Sequence, residues 1–442
     1  MNNTQQELIH APLKQVYRKY LFNSIFASLA TSLFIFFDTL FLGQGVGSAG
    51  LATITFSMPI LMVFSAISSF MAYGGPSVFA VELGRGDQEG AADVFSLGLK
   101  CAVMLAVACA AFCLLFLRPI CSLMGATEDI LPMVTTYVGI LVASQPFMSL
   151  SACLGGYVRN DGQPRLSMIA TLCSNLFNIV FDYVFIMVFH WGVAGAAIAT
   201  ALSPLVTIGI LCTHFRSGSC NMRYRLNKAQ FRYFTRVAKN GLMGFLNEAS
   251  AGVVTYLYNF MAMRYGGVTA VAAYALVGNT CFIFQNLIIS CCMSSQPIIG
   301  INYGAGEKGR VREVIGLVLK YAMGLAGALG AVYFLFRTPI STLFANGDDP
   351  MLVPTAAFAT IFFAVCLLFM PFFYTPVSAL FAVEHSRYSN TAVFLRSFVL
   401  QSLFLILLPL LWGINGVWLT PIFTEICAAA VALFLFKKAK IV

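Results

Sequence analysis

The sequence predicts an all-α integral membrane protein with twelve spanning helices in two similar bundles of six. Three observations carry this. Of 442 residues, 59% are hydrophobic and 10% charged, with a mean hydropathy of +0.85, where soluble domains carry roughly 25% charged residues. A water-soluble fold cannot hide so much apolar side chain, and a disordered chain lacks it. The apolar residues also recur in long stretches between polar or Gly/Pro breaks, the pattern of spanning helices and not of barrel strands. Finally, the second half of the chain repeats landmarks of the first.

The spans predicted in the first half cover 21–43, 51–83, 94–117, 130–158, 166–189 and 193–215. Those of the second half cover 241–263, 271–303, 311–336, 351–381, 391–411 and 416–436. Several exceed the roughly 20 residues one crossing needs, so tilt or protrusion is expected. The domain boundaries follow: a bundle over 1–215, a basic linker over 216–240 and a second bundle over 241–442.

Charge sets the orientation. With the N-terminus inside, twenty Lys and Arg residues fall in inside segments, including Lys14, Arg18, Lys19, Arg159, Arg165 and seven between 216 and 239. Only Arg118, Arg264 and Arg337 fall outside, while Lys100, Lys320 and Arg396 lie within spans. Both termini are therefore expected in the cytoplasm. The same asymmetry explains the net charge of +9 without a nucleic-acid partner. The linker reads as a solvated segment touching anionic lipid headgroups. Glu7, Lys14, Arg18 and Lys19 before the first span read as a cytoplasmic tail, not a cleaved signal peptide. The 13 cysteines are scattered without a CxxC, and the four histidines lie in separate segments. Neither a disulfide framework nor a zinc site is indicated.

The repeat is exact at several landmarks. A shift of 220 carries Gly84-Arg85-Gly86 onto Gly304-Ala305-Gly306, Pro119-Ile120 onto Pro339-Ile340, and Gly47 onto Gly267. A shift of 221 carries Trp191-Gly192-Val193 onto Trp412-Gly413-Ile414. An even number of helices per repeat preserves orientation. The halves are thus parallel repeats about an axis along the membrane normal, with a cavity between them, as in transporters that rock two bundles.

Four acids lie inside predicted spans: Asp38, Asp182, Glu248 and Glu425. A charge at mid-bilayer costs at least a few kcal/mol and marks a candidate functional site. Asn175, Asn178 and Asp182 stand at i, i+3 and i+7, one face of the fifth helix. A carboxylate with amide oxygens supplies ligands that a hard cation prefers. Thr31 and Asp38 are likewise seven apart in the first helix. The small residues opening the sixth helix permit close contact, which brings the Thr200 hydroxyl within range of the stripe. Two carboxylates brought together out of water tend to share a proton, so the site takes either H⁺ or a cation. Glu248, beside Asn247, reads as a coupling residue, a substrate anion site or a satisfied structural acid. Glu425 reads as structural, and Arg396 has no evident partner.

At these residues the sequence resembles the multidrug and toxic compound extrusion (MATE) family, particularly its DinF-like branch. The resemblance rests on Phe37-Asp38-Thr39-Leu40-Phe41-Leu42-Gly43 with GVGSAGLA, on GRGDQEGA, on Arg159-Asn160-Asp161-Gly162-Gln163-Pro164, and on Asn178-Ile179-Val180-Phe181-Asp182 with WGVAGAAIATA. In the second half it rests on VAAYALVGN, QPIIGINYGAG and Trp412-Gly413-Ile414-Asn415-Gly416-Val417-Trp418. It implies a V-shaped pair of six-helix bundles in a bacterial cytoplasmic membrane. The implied activity is an antiporter, functional as a monomer among membrane lipids, that exports amphiphilic, mostly cationic small molecules in exchange for H⁺ or Na⁺.

The resemblance carries the cation-coupling site onto Asp38, Asn178, Asp182 and Thr200, which would be metal ligands only with Na⁺ coupling. It adds Tyr137 near that site and matches Glu248 to an acid of the second lobe. With Asn175, these complete the candidate substrate or coupling residues. No cofactor beyond the coupling ion is implied. The family's proline-linked bend of the first helix has no counterpart, because 21–43 contains no proline. A lipid-linked sugar flippase of the same superfamily is the alternative, disfavoured by having only three intramembrane basic residues. A remote alternative is an intramembrane aspartyl protease using Asp87 of Gly84-Arg85-Gly86-Asp87 with Asp182. GxSxG, HExxH and Walker A motifs are absent, which argues against an enzyme.

Overall fold

The computed structural model describes residues 3–46, 48–123, 128–217, 220–225, 228–344 and 350–441, and every regular element among them is a helix. Nine helices are long and apolar enough to cross a membrane, or ten when Leu131–Ala143 and Gln145–Asn160, which meet at 45°, count as one bent span. The bend falls where Pro146 opens the second piece, a position proline favours because its missing N–H costs nothing there. The longest stretch, Gln230–Gly304, holds two crossings, because Gly267 at φ 68° breaks the helix Phe234–Met293. Only glycine takes that conformation without strain. With the first span, Leu13–Gly45, the crossings number twelve. Gly47, the first-half partner of Gly267, lies outside the described residues.

The repeat is visible in the backbone. Gly86 at φ 77° and Gly306 at φ 82° turn the chain after the second and eighth spans. The turns share their bonds: Asp87 N–H donates to Glu82 O at 3.1 Å and Glu307 N–H to Asn302 O at 2.9 Å. Gly192 at φ 57° matches Gly413 at φ 56°. The second and eighth spans cross at Gly84 and Gly304. A Cβ on Gly84 would collide with the Ile301 carbonyl, and one on Gly304 with the Val81 carbonyl. Both pairs are related by the 220-residue shift, so this crossing lies on the pseudo-twofold axis.

One end of the bundle pair is sealed around that crossing. A Cβ on Gly74 would lie 2.5 Å from the Val237 carbonyl oxygen, and one on Gly241 2.5 Å from that of Phe70. Arg236 bridges the halves, 2.7 Å from Glu82 and 2.6 Å from Glu384. Ser77 donates to the Phe381 carbonyl at 3.1 Å, and Asn240 to Ser77 at 3.3 Å. The N-terminal helix Asn3–His10 also docks on the second half, where Asn302 donates to Leu8 O at 3.1 Å and Arg310 to Ala11 O at 2.8 Å.

The basic linker departs from the solvated segment expected of it. Met222 and Tyr233 are buried among apolar residues of the first half, and Arg225 N–H donates to Ser96 at 2.8 Å. Lys100, placed within a span by its sequence, reaches Gln230 of this linker at 3.1 Å. Asp161 anchors the chain through His214 at 2.7 Å, the Asn221 side chain at 2.7 Å and the Asn221 N–H at 3.0 Å. Asp161, His214 and Cys220 offer ligand atoms within 4.8 Å of one another, a convergence hidden by their separation in sequence. Both Asp161 oxygens are already engaged by protein donors, which is the bonding of a structural tie. The apolar content of the linker explains its packing, because burying Met222 and Tyr233 outweighs leaving the segment in solvent.

Candidate functional site

The fifth span, Pro164–Asp182, runs directly into a π-helical turn, Tyr183–Val188. Such turns interrupt the regular ladder and recur at functional sites. Asp182 is fully buried and Asn178 nearly so. Their face meets the sixth span because Gly195 admits Phe185, whose Cβ would stand 2.9 Å from a Cβ there. That approach brings Thr200 to Asn178. The amide orientation satisfying both partners has Asn178 donating to Asp182 Oδ2 at 2.8 Å and accepting from the Thr200 hydroxyl at 3.1 Å.

Asp38 of the first span completes the group. Its carboxyl lies against that of Asp182, and two carboxyls in contact out of water favour sharing one proton, since two ionised ones repel. Oδ1 of each aspartate is buried without a hydrogen-bond partner. Tyr137 is buried in the same cluster, with Leu42 and Ile186, and its phenol feels the charge of both aspartates. Four oxygen-bearing side chains from three helices, two of them carboxyls with an unsatisfied oxygen each, make a site that can hold and release a proton or admit a small cation.

The other sequence candidates separate from this group. Asn175 lies two turns away and donates to Thr31 at 3.3 Å. Glu248, on the seventh span, bonds Ser65 of the second span instead. Asp87 caps the helix that follows it, accepting from Gly90 N–H at 2.8 Å, and faces Arg232; it has no role beside Asp182. Glu425 pairs with Arg396, whose Nε lies 2.9 Å from Oε1. The guanidinium sits over the Phe373 and Tyr374 rings, 5.1 Å from each centroid.

This ion pair escaped the sequence reading, because 29 residues separate its partners. Their occurrence as intramembrane charges of opposite sign on consecutive spans was the available signal. Arg396 lies in a π-helical turn of the eleventh span, Leu395–Leu400, and the 221-residue shift carries Asn175 onto it. The second lobe therefore carries a cation where the first lobe's polar stripe begins with an amide.

Two cavities, of about 250 and 290 Å³, open further along the first and fifth spans. Thr31 lines the first, together with Ser290 and Met293 of the second half, and Asn175 lines the other.

Comparisons with known proteins agree with this architecture. Among curated relatives, the multidrug export protein MepA of Staphylococcus saprophyticus is 24% identical over 92% of this chain and 90% of its own length. MepA of Staphylococcus aureus strain MSSA476 is 23% identical over 98% of this chain and 96% of its length. A solved structure described as the outward-facing conformation of a multidrug resistance MATE family transporter superposes with a TM-score of 0.93 at 21% identity, covering 99% of this chain and 98% of that one. The Vibrio cholerae MATE transporter VcmN gives 0.90 at 22% identity over 99% and 98%. The MatE family profile matches twice, over residues 24–184 and 246–407. The chain belongs to the MatE family and is a membrane transporter, not an enzyme.

Proposed function

We propose that the protein is a cation-coupled antiporter exporting amphiphilic, chiefly cationic organic compounds by alternating access. It would work as a monomer across a bacterial cytoplasmic membrane, among its lipids, with both termini inside. The observation that carries this is the Asp38–Asp182 pair, two carboxyls brought together from separate spans, each with a buried oxygen that no protein donor satisfies. A proton or cation arriving from outside competes with a cationic solute for the same carboxyls, so loading one releases the other. The membrane potential supplies about 2.3 kcal/mol per charge per 100 mV. Asn178 turns its amide nitrogen, not its oxygen, to Asp182, which suits a proton-sharing pair better than bound Na⁺.

The repeats set the division of labour. The first lobe, 1–215, holds the coupling residues Asp38, Asn178, Asp182 and Thr200, with Tyr137 alongside. The second lobe, 241–442, pairs its intramembrane acid Glu425 with Arg396, and the segment 216–240 joins the two. The seal at Gly84, Gly304 and Arg236 lies on the cytoplasmic side in this orientation. The test is dye transport into inverted vesicles with pH and Na⁺ gradients imposed separately. Asp38→Asn and Asp182→Asn should each abolish gradient-driven transport in folded protein, and the pH gradient should suffice for the wild type. Wild-type rates in both variants would sink the assignment.

A further inference from the structure

Arg159 closes the helix Gln145–Asn160, and its surroundings are not those of a residue present only for membrane sidedness. Such a residue would face headgroups or solvent. Its Nε is instead buried without a hydrogen-bond partner, and no ion pair among the described residues includes it. The phenols of Tyr73 and Tyr20 lie near it, and both are uncharged. Asp161, the carboxylate nearest in sequence, is engaged by His214 and Asn221. Glu248 lies across Tyr73 and bonds Ser65. A guanidinium remains charged in proteins, and a half-buried one with an unpaired nitrogen and no counter-ion favours an anion beside it.

The anion has a place to sit. Arg159 lines both cavities, one between the lobes and one within the first, and Tyr73, Ser167 and Thr171 line both beside it. The same cavities reach Thr31 and Asn175, on the way to the aspartate pair. Thr171 and Asp182 share one helix, and their separation along it is about 16 Å at 1.5 Å per residue. A positive group and an acidic pair thus stand about three turns apart on the same side of the first lobe, with Thr31 and Asn175 between them.

We propose that Arg159 is an anion subsite of the transport cavity. It takes the carboxylate of an elongated zwitterionic solute whose cationic end faces Asp38 and Asp182. A planar carboxylate matches the two-pronged guanidinium, which a lysine in its place would not reproduce. The proposal rests on the export reading for the solute's placement, but it is tested by binding alone.

The probes are a zwitterionic rhodamine free acid and its methyl ester, which differ only in the carboxylate, titrated onto purified full-length protein by fluorescence anisotropy. The acid should bind Arg159→Gln about tenfold or more weakly than wild type, with Arg159→Lys in between, while the ester binds all three alike. Unchanged ester binding also shows that the variants are folded. Equal affinity of the acid for wild type and Arg159→Gln, or no binding of the acid to wild type, overturns the proposal. Thermal stabilisation of wild type by chloride over gluconate, lost in Arg159→Gln, with acid and ester binding indistinguishable, would assign the site to a free inorganic anion and overturn the solute assignment. Failure of the vesicles to transport the ester, with these binding differences intact, would refute the export reading and leave the Arg159 subsite standing.

Discussion

Removing Arg396 exposes how the second lobe tolerates Glu425. In the ion pair the arginine side chain is 12% exposed and the glutamate 4%, so solvent screens little. Two guanidinium nitrogens converge on Oε1, while Oε2 is buried without a partner. Arg396→Gln would therefore strand a carboxylate in an apolar bundle, at a cost of about 3–5 kcal/mol. Glu425→Gln should cost less, about 2–3 kcal/mol, because the stranded guanidinium keeps the Phe373 and Tyr374 rings, worth up to about 2 kcal/mol when desolvated. Replacing both partners with Met and Leu removes the desolvation penalty together with the attraction, and should return stability to within about 1 kcal/mol of wild type. Reversible unfolding of the purified protein in mixed micelles, followed by circular dichroism, measures all four forms. The reasoning fails if Arg396→Gln is as stable as wild type, if it costs less than Glu425→Gln, or if the double replacement is no better than either single one.

Two further predictions concern the sealed end. Arg236→Gln removes the contacts to Glu82 and Glu384; with Arg236 about one-third exposed, the loss should be about 2 kcal/mol, or roughly a 30-fold shift toward the opened end. Spin-label distances across that end would show a new longer population, and an unchanged distribution would contradict the bridge. Gly84→Val should prevent closure altogether, because its Cβ meets the Ile301 backbone. Gly86→Asn, with open space around it and a φ that asparagine tolerates, should change stability by less than about 1 kcal/mol. Cross-linking yield between cysteines on the two lobes separates these outcomes, and equal yields in both variants would contradict the crossing geometry.

Much of the architecture followed from one-dimensional chemistry. Apolar runs long enough to cross a bilayer must be helices, since lipid leaves no other partner for backbone groups. The 220-residue repeat placed the Gly84 and Gly304 turns in equivalent positions, and Gly267 marked a break between crossings. The stripe of Asn175, Asn178 and Asp182 was legible because helical periodicity alone puts residues three and seven apart on one face.

What periodicity cannot supply is which faces meet. Asp38 stands 144 residues from Asp182, and only the packing of the first, fifth and sixth spans brings the two carboxyls together. The same packing kept Asn178 and Thr200 at the pair and left Asn175 two turns away. It sent Glu248 to Ser65 and gave Arg396 to Glu425. It also converted Arg159 from one more positive-inside residue into a half-buried charge without an ion-pair partner among the described residues, and made the basic linker a packed element. Each of these turns on contacts between helices distant in sequence. In a bilayer such contacts are chosen by close packing and by the need to satisfy every buried charge, neither of which is a local property of the chain.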